Sequence, residues 1–158
     1  MLSRFHLLAM AALAALRMVI APAAHAQVQI TQLSDVSFGN ITALDVDQVR
    51  SQSLCAFSGL LGGRYSITAT GSGTGNAFTL SNGSAALPYE VQWSGTAGRT
   101  SGTNLAAGAP LSGQTMALSC PLLQATNASL IVVLRGTALT SAQAGNYSGV
   151  LTLILAAN

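Results

Sequence analysis

The chain has 158 residues, half of them apolar and only 6% charged, with six Arg and no Lys against four acidic residues and a formal net charge of +2. So slight a positive balance cannot grip a run of phosphates, which argues against nucleic acid or an anionic membrane surface as a partner. Both histidines, His6 and His25, lie ahead of an expected cleavage site, so the remainder can form no Ser-His-Asp or Cys-His arrangement, and zinc loses its commonest ligand.

Residues 1–26 read as a signal peptide. Arg4 precedes an apolar stretch from Leu7 to Leu16, and Ala24-His25-Ala26 supplies small residues at the cleavage positions. Arg17 and Pro22 interrupt the apolar run, which makes it too short to span a membrane, and no later stretch approaches that length. The expected mature chain is one domain, residues 27–158, secreted and without a transmembrane segment. Its charges, Asp35, Asp45, Asp47 and Glu90 against Arg50, Arg64, Arg99 and Arg135, cancel formally.

Beyond Gln27 the pattern is that of an all-β protein. Apolar or alternating runs predict strands at 28–33, 36–41, 53–57, 65–70, 77–80, 89–93, 115–119, 130–134 and 148–155, with Gly, Ser, Asn and Thr between them. Residues 71–76 and 95–113 read as loops, and 138–144 is the best candidate for a short helical turn. Strands at this spacing most simply give a β-sandwich with Greek-key connections.

Three groups of residues along this path bear on chemistry. Asp45 and Asp47 stand two apart, which on a strand places both carboxylates on one face. A carboxylate pair can hydrolyse glycosides, but nothing polar or aromatic accompanies this one, and a solvated strand end or turn is the simpler reading. No enzyme activity, cofactor or metal is expected. Cys55 and Cys120 are the two cysteines, and an oxidising compartment implies a disulfide between them, with buried thiols or an intermolecular pair as the alternatives. Tyr89 and Trp93 could stack on a sugar, although on an alternating strand such residues usually face the core.

The C-terminal strand is the most informative element. Val150, Thr152 and Ile154 would face one way and Leu151, Leu153 and Leu155 the other, so both faces ask to be buried. Such a strand is either paired on both sides within its own sheet or an edge that takes up a strand from another chain.

Four blocks in order, Asp35-Val-Ser-Phe-Gly39, the Cys55 strand followed by Tyr65-Ser-Ile-Thr-Ala69, Leu87-Pro-Tyr-Glu-Val-Gln-Trp93 and Ala144-Gly-Asn-Tyr-Ser-Gly-Val-Leu-Thr-Leu153, resemble the spore coat protein U domain. That family includes subunits of archaic chaperone-usher pili. The resemblance implies an immunoglobulin-like sandwich lacking its final strand, an incomplete fold with an open C-terminal edge. A periplasmic chaperone would fill the groove first. At the outer-membrane usher, the N-terminal extension of another pilin subunit would replace it, carrying the protein through the periplasm to a fimbrium on the cell surface.

Carried onto this chain, Tyr147, Val150, Leu151, Thr152, Leu153, Ile154 and Leu155 would form the acceptor edge. Val28, Ile30, Leu33, Val36 and Phe38, in the first strand, would flank the groove, and the Asn158 carboxylate would be the group that a chaperone's basic residues hold. Only the segment Gln27 to Ser34 lies between the expected cleavage site and Asp35. Its apolar residues Val28, Ile30 and Leu33 are needed for the first strand, so the chain reads as better able to accept a strand than to donate one. That suits a tip or chain-starting subunit. The alternative is a self-complete extracellular coat or matrix protein, or a carbohydrate-binding adhesin domain using Tyr89, Trp93 and the Gly-rich loops.

Overall fold

A computed structural model describes residues 28–58, 63–116 and 126–158. The expected signal peptide and Cys120 lie outside the described residues, as does most of the predicted strand 115–119. The strands are β1 (Val28–Thr31), β2 (Gln48–Ser58), β3 (Arg64–Gly71), β4 (Thr79–Ser81), β5 (Ala86–Pro88), β6 (Glu90–Ser94), β7 (Thr103–Asn104), β8 (Pro110–Thr115), β9 (Ala128–Leu134) and β10 (Leu151–Ala157). A single helical turn, α1 (Gly136–Leu139), follows β9, and a 3-10 turn spans Thr74–Asn76.

Every strand pair is antiparallel. One sheet runs β1-β2-β9-β6-β7, a second β10-β3-β8, and β4 with β5 forms a small ribbon. The expected all-β sandwich is therefore the fold. In chain order the first sheet reproduces the A-B-E-D arrangement of an immunoglobulin domain, and β3 with β10 stand where C and F stand in the second. The position of strand G, on the far side of β10, holds no described strand.

Alternation builds the core. Leu54 and Ala56 of β2, Val91 and Trp93 of β6, and Leu130, Val132 and Leu134 of β9 face Tyr65, Ile67 and Ala69 of β3, all buried. Trp93 and Tyr65 join the sheets: the indole Nε1–H donates to the Tyr65 hydroxyl at 3.1 Å, and the rings meet edge to face with centroids 6.2 Å apart. β9 is buried along its whole length, because the loop after β6 folds over its outer side. Serine hydroxyls pin that loop. The Ser129 Oγ accepts from the Arg99 N–H at 3.0 Å and donates to the Thr96 carbonyl at 2.9 Å, the Gly98 N–H donates to the Ser53 Oγ at 2.9 Å, and the Ser51 Oγ donates to the Arg99 carbonyl.

Several predicted boundaries move. The predicted strand 36–41 is irregular backbone: Gln32 takes φ +67° and turns the chain out of its ladder with β2. β2 begins five residues before the predicted 53–57, and the predicted loop 95–113 contains β7 and most of β8. The C-terminal strand starts at Leu151, and Ser148 instead forms an isolated bridge with Ser81 of β4.

Candidate strand-acceptor groove

β10 pairs with β3 from Leu151 opposite Gly71 to Ala157 opposite Tyr65. The Asn158 N–H continues the ladder, donating to the Arg64 carbonyl at 2.9 Å. Antiparallel ladders alternate, so the backbone groups of Thr152, Ile154 and Ala156 are directed to β3, and those of Leu151, Leu153, Leu155 and Ala157 to the opposite side. No described strand lies on that side. The same odd positions carry the inward side chains: Leu151, Leu153 and Leu155 pack against the core yet stay only half-buried. Thr152 and Ile154 face solvent, Ile154 with 57% of its surface exposed. The expectation that both faces of this strand are buried is thus corrected.

β1 stands across from this edge. It is the outermost strand of the five-stranded sheet and approaches β10 without hydrogen bonding to it. Val28 and Ile30 are half-buried against the core from that side. The two strands border a groove with an aliphatic lining, and along it the β10 edge is paired with no described strand.

The remaining residues expected at the groove scatter. Tyr147 lies in the turn before β10, its hydroxyl donating to the Gln143 carbonyl at 3.0 Å. Val150 also precedes the strand: its N–H donates to the Ser72 Oγ at 3.0 Å and its side chain is 63% exposed. Leu33 is 44% exposed beyond the kink at Gln32. Val36 and Phe38 are half-buried on the core but sit in the irregular segment, so they support the sandwich wall without extending β1.

That segment is tied to β2 by side chains that the sequence pattern did not single out. The Gln52 Oε1 accepts from the Ser34 N–H at 2.9 Å and its Nε2 donates to the Ser34 carbonyl at 3.1 Å. The Arg50 guanidinium donates to the carbonyls of Ser37 at 3.2 Å and Phe38 at 3.4 Å and lies over the Phe38 ring, 5.5 Å from its centroid. The available signal was the row of polar residues, Gln48, Arg50 and Gln52, at the positions whose spacing continues Leu54 and Ala56.

Asp45 and Asp47 do not act as a pair. The Asp47 carboxylate accepts from the Gly136 N–H at 2.9 Å and from the Arg135 guanidinium at 2.7 Å, while Arg135 reaches Glu90 through two further hydrogen bonds of 2.8 and 2.5 Å. The Gly136 amide, and after it Arg135, holds Asp47 below the usual carboxylate range. Arg135 does the same for Glu90, and the two carboxylates raise the Arg135 pKa in return. This triad fastens the start of α1 to β2 and β6. Spacing along the chain could not reveal it. Among the described residues no group of three or more His, Cys, Asp or Glu side chains could hold a metal ion.

The two aromatic candidates for sugar stacking face inward. Trp93 is 1% exposed, and Tyr89 is buried against Phe78, their rings 5.6 Å apart. Neither offers a platform, which corrects the adhesin reading as far as it used them. Cys55 is buried on β2, and the described residues include no free cysteine. No helix among the described residues is long and apolar enough to cross a membrane.

No family model matches this chain, the spore coat protein U domain included, and no curated protein does. Among solved structures, a chain from the work described as "Chaperone-tip adhesin complex is vital for synergistic activation of CFA/I fimbriae biogenesis" is similar, with a TM-score of 0.53 at 17% identity. The match covers 83% of this chain and 41% of that one, so the protein spans less than half the length of its structural neighbour. At that identity the likeness is one of fold.

Proposed function

We propose that this protein is a non-enzymatic structural subunit of a chaperone-usher pilus or related surface fibre, and that it works by taking an extended strand into the groove between β1 and β10. The observation that carries the reading is the β10 edge. Its odd-numbered residues present backbone groups that no described strand takes up outward along the sheet and half-buried leucines toward the core, the two features an added strand uses for affinity and for specificity. Edges of this kind are normally blunted by charge, proline or a bulge. β8, at the far edge of the same sheet, starts with Pro110 and carries a bulge against β3. β10 is Leu-Thr-Leu-Ile-Leu-Ala-Ala and has no such protection.

The partners on this reading are a periplasmic chaperone, an outer-membrane usher and other pilin subunits, met on a secretory route that ends at the cell surface. The order of blocks resembling the spore coat protein U domain and the fold likeness to a chain from a chaperone-tip adhesin complex both support it. Val28 to Thr31 are paired with β2 within the domain.

The test is co-expression with a chaperone of an archaic chaperone-usher system, followed by co-purification. Leu153→Asp buries an unpaired charge in the filled groove, at a cost of several kcal/mol, and should abolish capture. Ile154→Asp changes the solvent face and should leave capture intact. A wild-type protein that is stable and monomeric alone and captures no chaperone would remove the proposal in favour of a self-complete coat or matrix domain.

A further inference from the structure

A second concave feature lies away from the groove's open edge, between β2 and the irregular segment that follows β1. It is a cleft of about 180 Å³ walled by Ser34, Asp35, Val36 and Ser37 on one side and Arg50, Ser51 and Gln52 on the other. Both walls are fixed in advance. The paired hydrogen bonds of Gln52 with Ser34 clamp one end, and the bonds of Arg50 to the Ser37 and Phe38 carbonyls clamp the other. A cleft set by such bonds does not have to be ordered when a ligand enters, which lowers the cost of binding.

Several polar groups in it are unused. The Asp35 carboxylate and the Ser37 hydroxyl make no hydrogen bond or ion pair with any described residue. Arg50 donates through Nε, Nη1 and Nη2 once each, which leaves two of its five N–H groups open. A carboxylate, a hydroxyl and a guanidinium thus belong to residues that line the same small space. Asp35 and Arg50 are not ion-paired with each other, so a polyhydroxy ligand would meet both an acceptor and donors there.

We propose that this cleft is a binding site for a single neutral sugar unit. Neighbouring hydroxyls of a sugar ring donate to the Asp35 carboxylate, a ring or hydroxyl oxygen accepts from Arg50, and the Ser37 hydroxyl serves as donor or acceptor. The volume falls below the range of about 300–1,000 Å³ usual for drug-sized ligands, which limits the occupant to one ring. With no aromatic face to stack on and only a few hydrogen bonds exchanged against water, affinity is on the order of millimolar. The site is independent of the strand-acceptor reading and stands or falls without it.

Titration of the folded, isotope-labelled protein with glucose, galactose, N-acetylglucosamine and sialic acid, followed by amide chemical shifts, tests the proposal. At least one neutral sugar should move the resonances of residues 34–37 and 50–52, and Asp35→Asn with Ser37→Ala should weaken that response tenfold or more. Neither side chain supports the fold through a hydrogen bond, so the double variant should keep the wild-type spectrum elsewhere. No shift in the cleft with any neutral sugar, an undiminished response in the variant, or a response to sialic acid alone would overturn the assignment.

Discussion

Single residues set how this protein responds to pH, and they act at opposite ends of the scale. Burial raises the Tyr65 hydroxyl to about 12, against a smaller downward pull from the Trp93 indole. A raised acid favours its neutral form in the folded state. Its contribution is fully present below the unfolded value of about 10 and is lost as pH rises toward about 12. Glu90 and Asp47 are shifted down, so their contribution is present above the ordinary carboxylate range and fades as pH falls through their lower folded values. Unfolding midpoints followed against pH should therefore show a plateau with an acid and an alkaline shoulder. Arg135→Gln should remove much of the acid shoulder, and Tyr65→Phe should flatten the alkaline one. The sequence announced Trp93 as a core residue through alternation, Val91 and Trp93 against Glu90 and Gln92. It gave no hint of the Arg135 triad, whose members are brought together only when β2, β6 and β9 align.

Among the elements, β10 makes the sharpest measurable claim. Amides of Thr152, Ile154, Ala156 and Asn158 are directed into the ladder with β3, and those of Leu153, Leu155 and Ala157 toward the open side. Hydrogen exchange in the isolated protein should alternate along the strand, protected at even positions and fast at odd ones. Uniform protection would mean that another strand already occupies the edge. The legibility of the other elements follows their burial. β9 was readable because Leu130 to Leu134 are continuously apolar, as a strand covered on both faces must be. The first half of β2 was not, because Gln48, Arg50 and Gln52 occupy inward positions and bond to a neighbouring segment in place of packing. Residues 36–41 have strand-like alternation in Val36 and Phe38, and the left-handed Gln32 overrides it. β7 and β8 hid in a stretch rich in Gly, Ser and Thr, where hydrogen bonding to neighbouring strands decides the structure and side-chain pattern does not. The groove was half legible: its leucines could be read from alternation, whereas the early departure of Tyr147 and Val150 from the strand could not.

At the scale of the whole molecule, stability rests on a small sandwich in which no described strand covers the outer edge of β10. A disulfide between Cys55 and Cys120 would staple it, closing a long loop and adding roughly 4 kcal/mol on the chain-entropy account. Mass spectrometry without reductant should find the two joined, and reduction should lower the melting temperature by several degrees; two free thiols would remove the staple. The bare β10 edge also has a consequence outside its working life. Leu151–Ala157 is a seven-residue run with no charge, proline or glycine, and short segments of that kind stack into cross-β fibrils when nothing caps them. Stored at high concentration without a partner strand, the protein should slowly gain thioflavin fluorescence. Thr152→Lys, which charges the exposed face and leaves the leucines in place, should suppress it. If the two proteins age alike, the edge is not the nucleating surface. If they differ, the residues proposed to receive a partner strand are also those that put a time limit on the domain's survival alone.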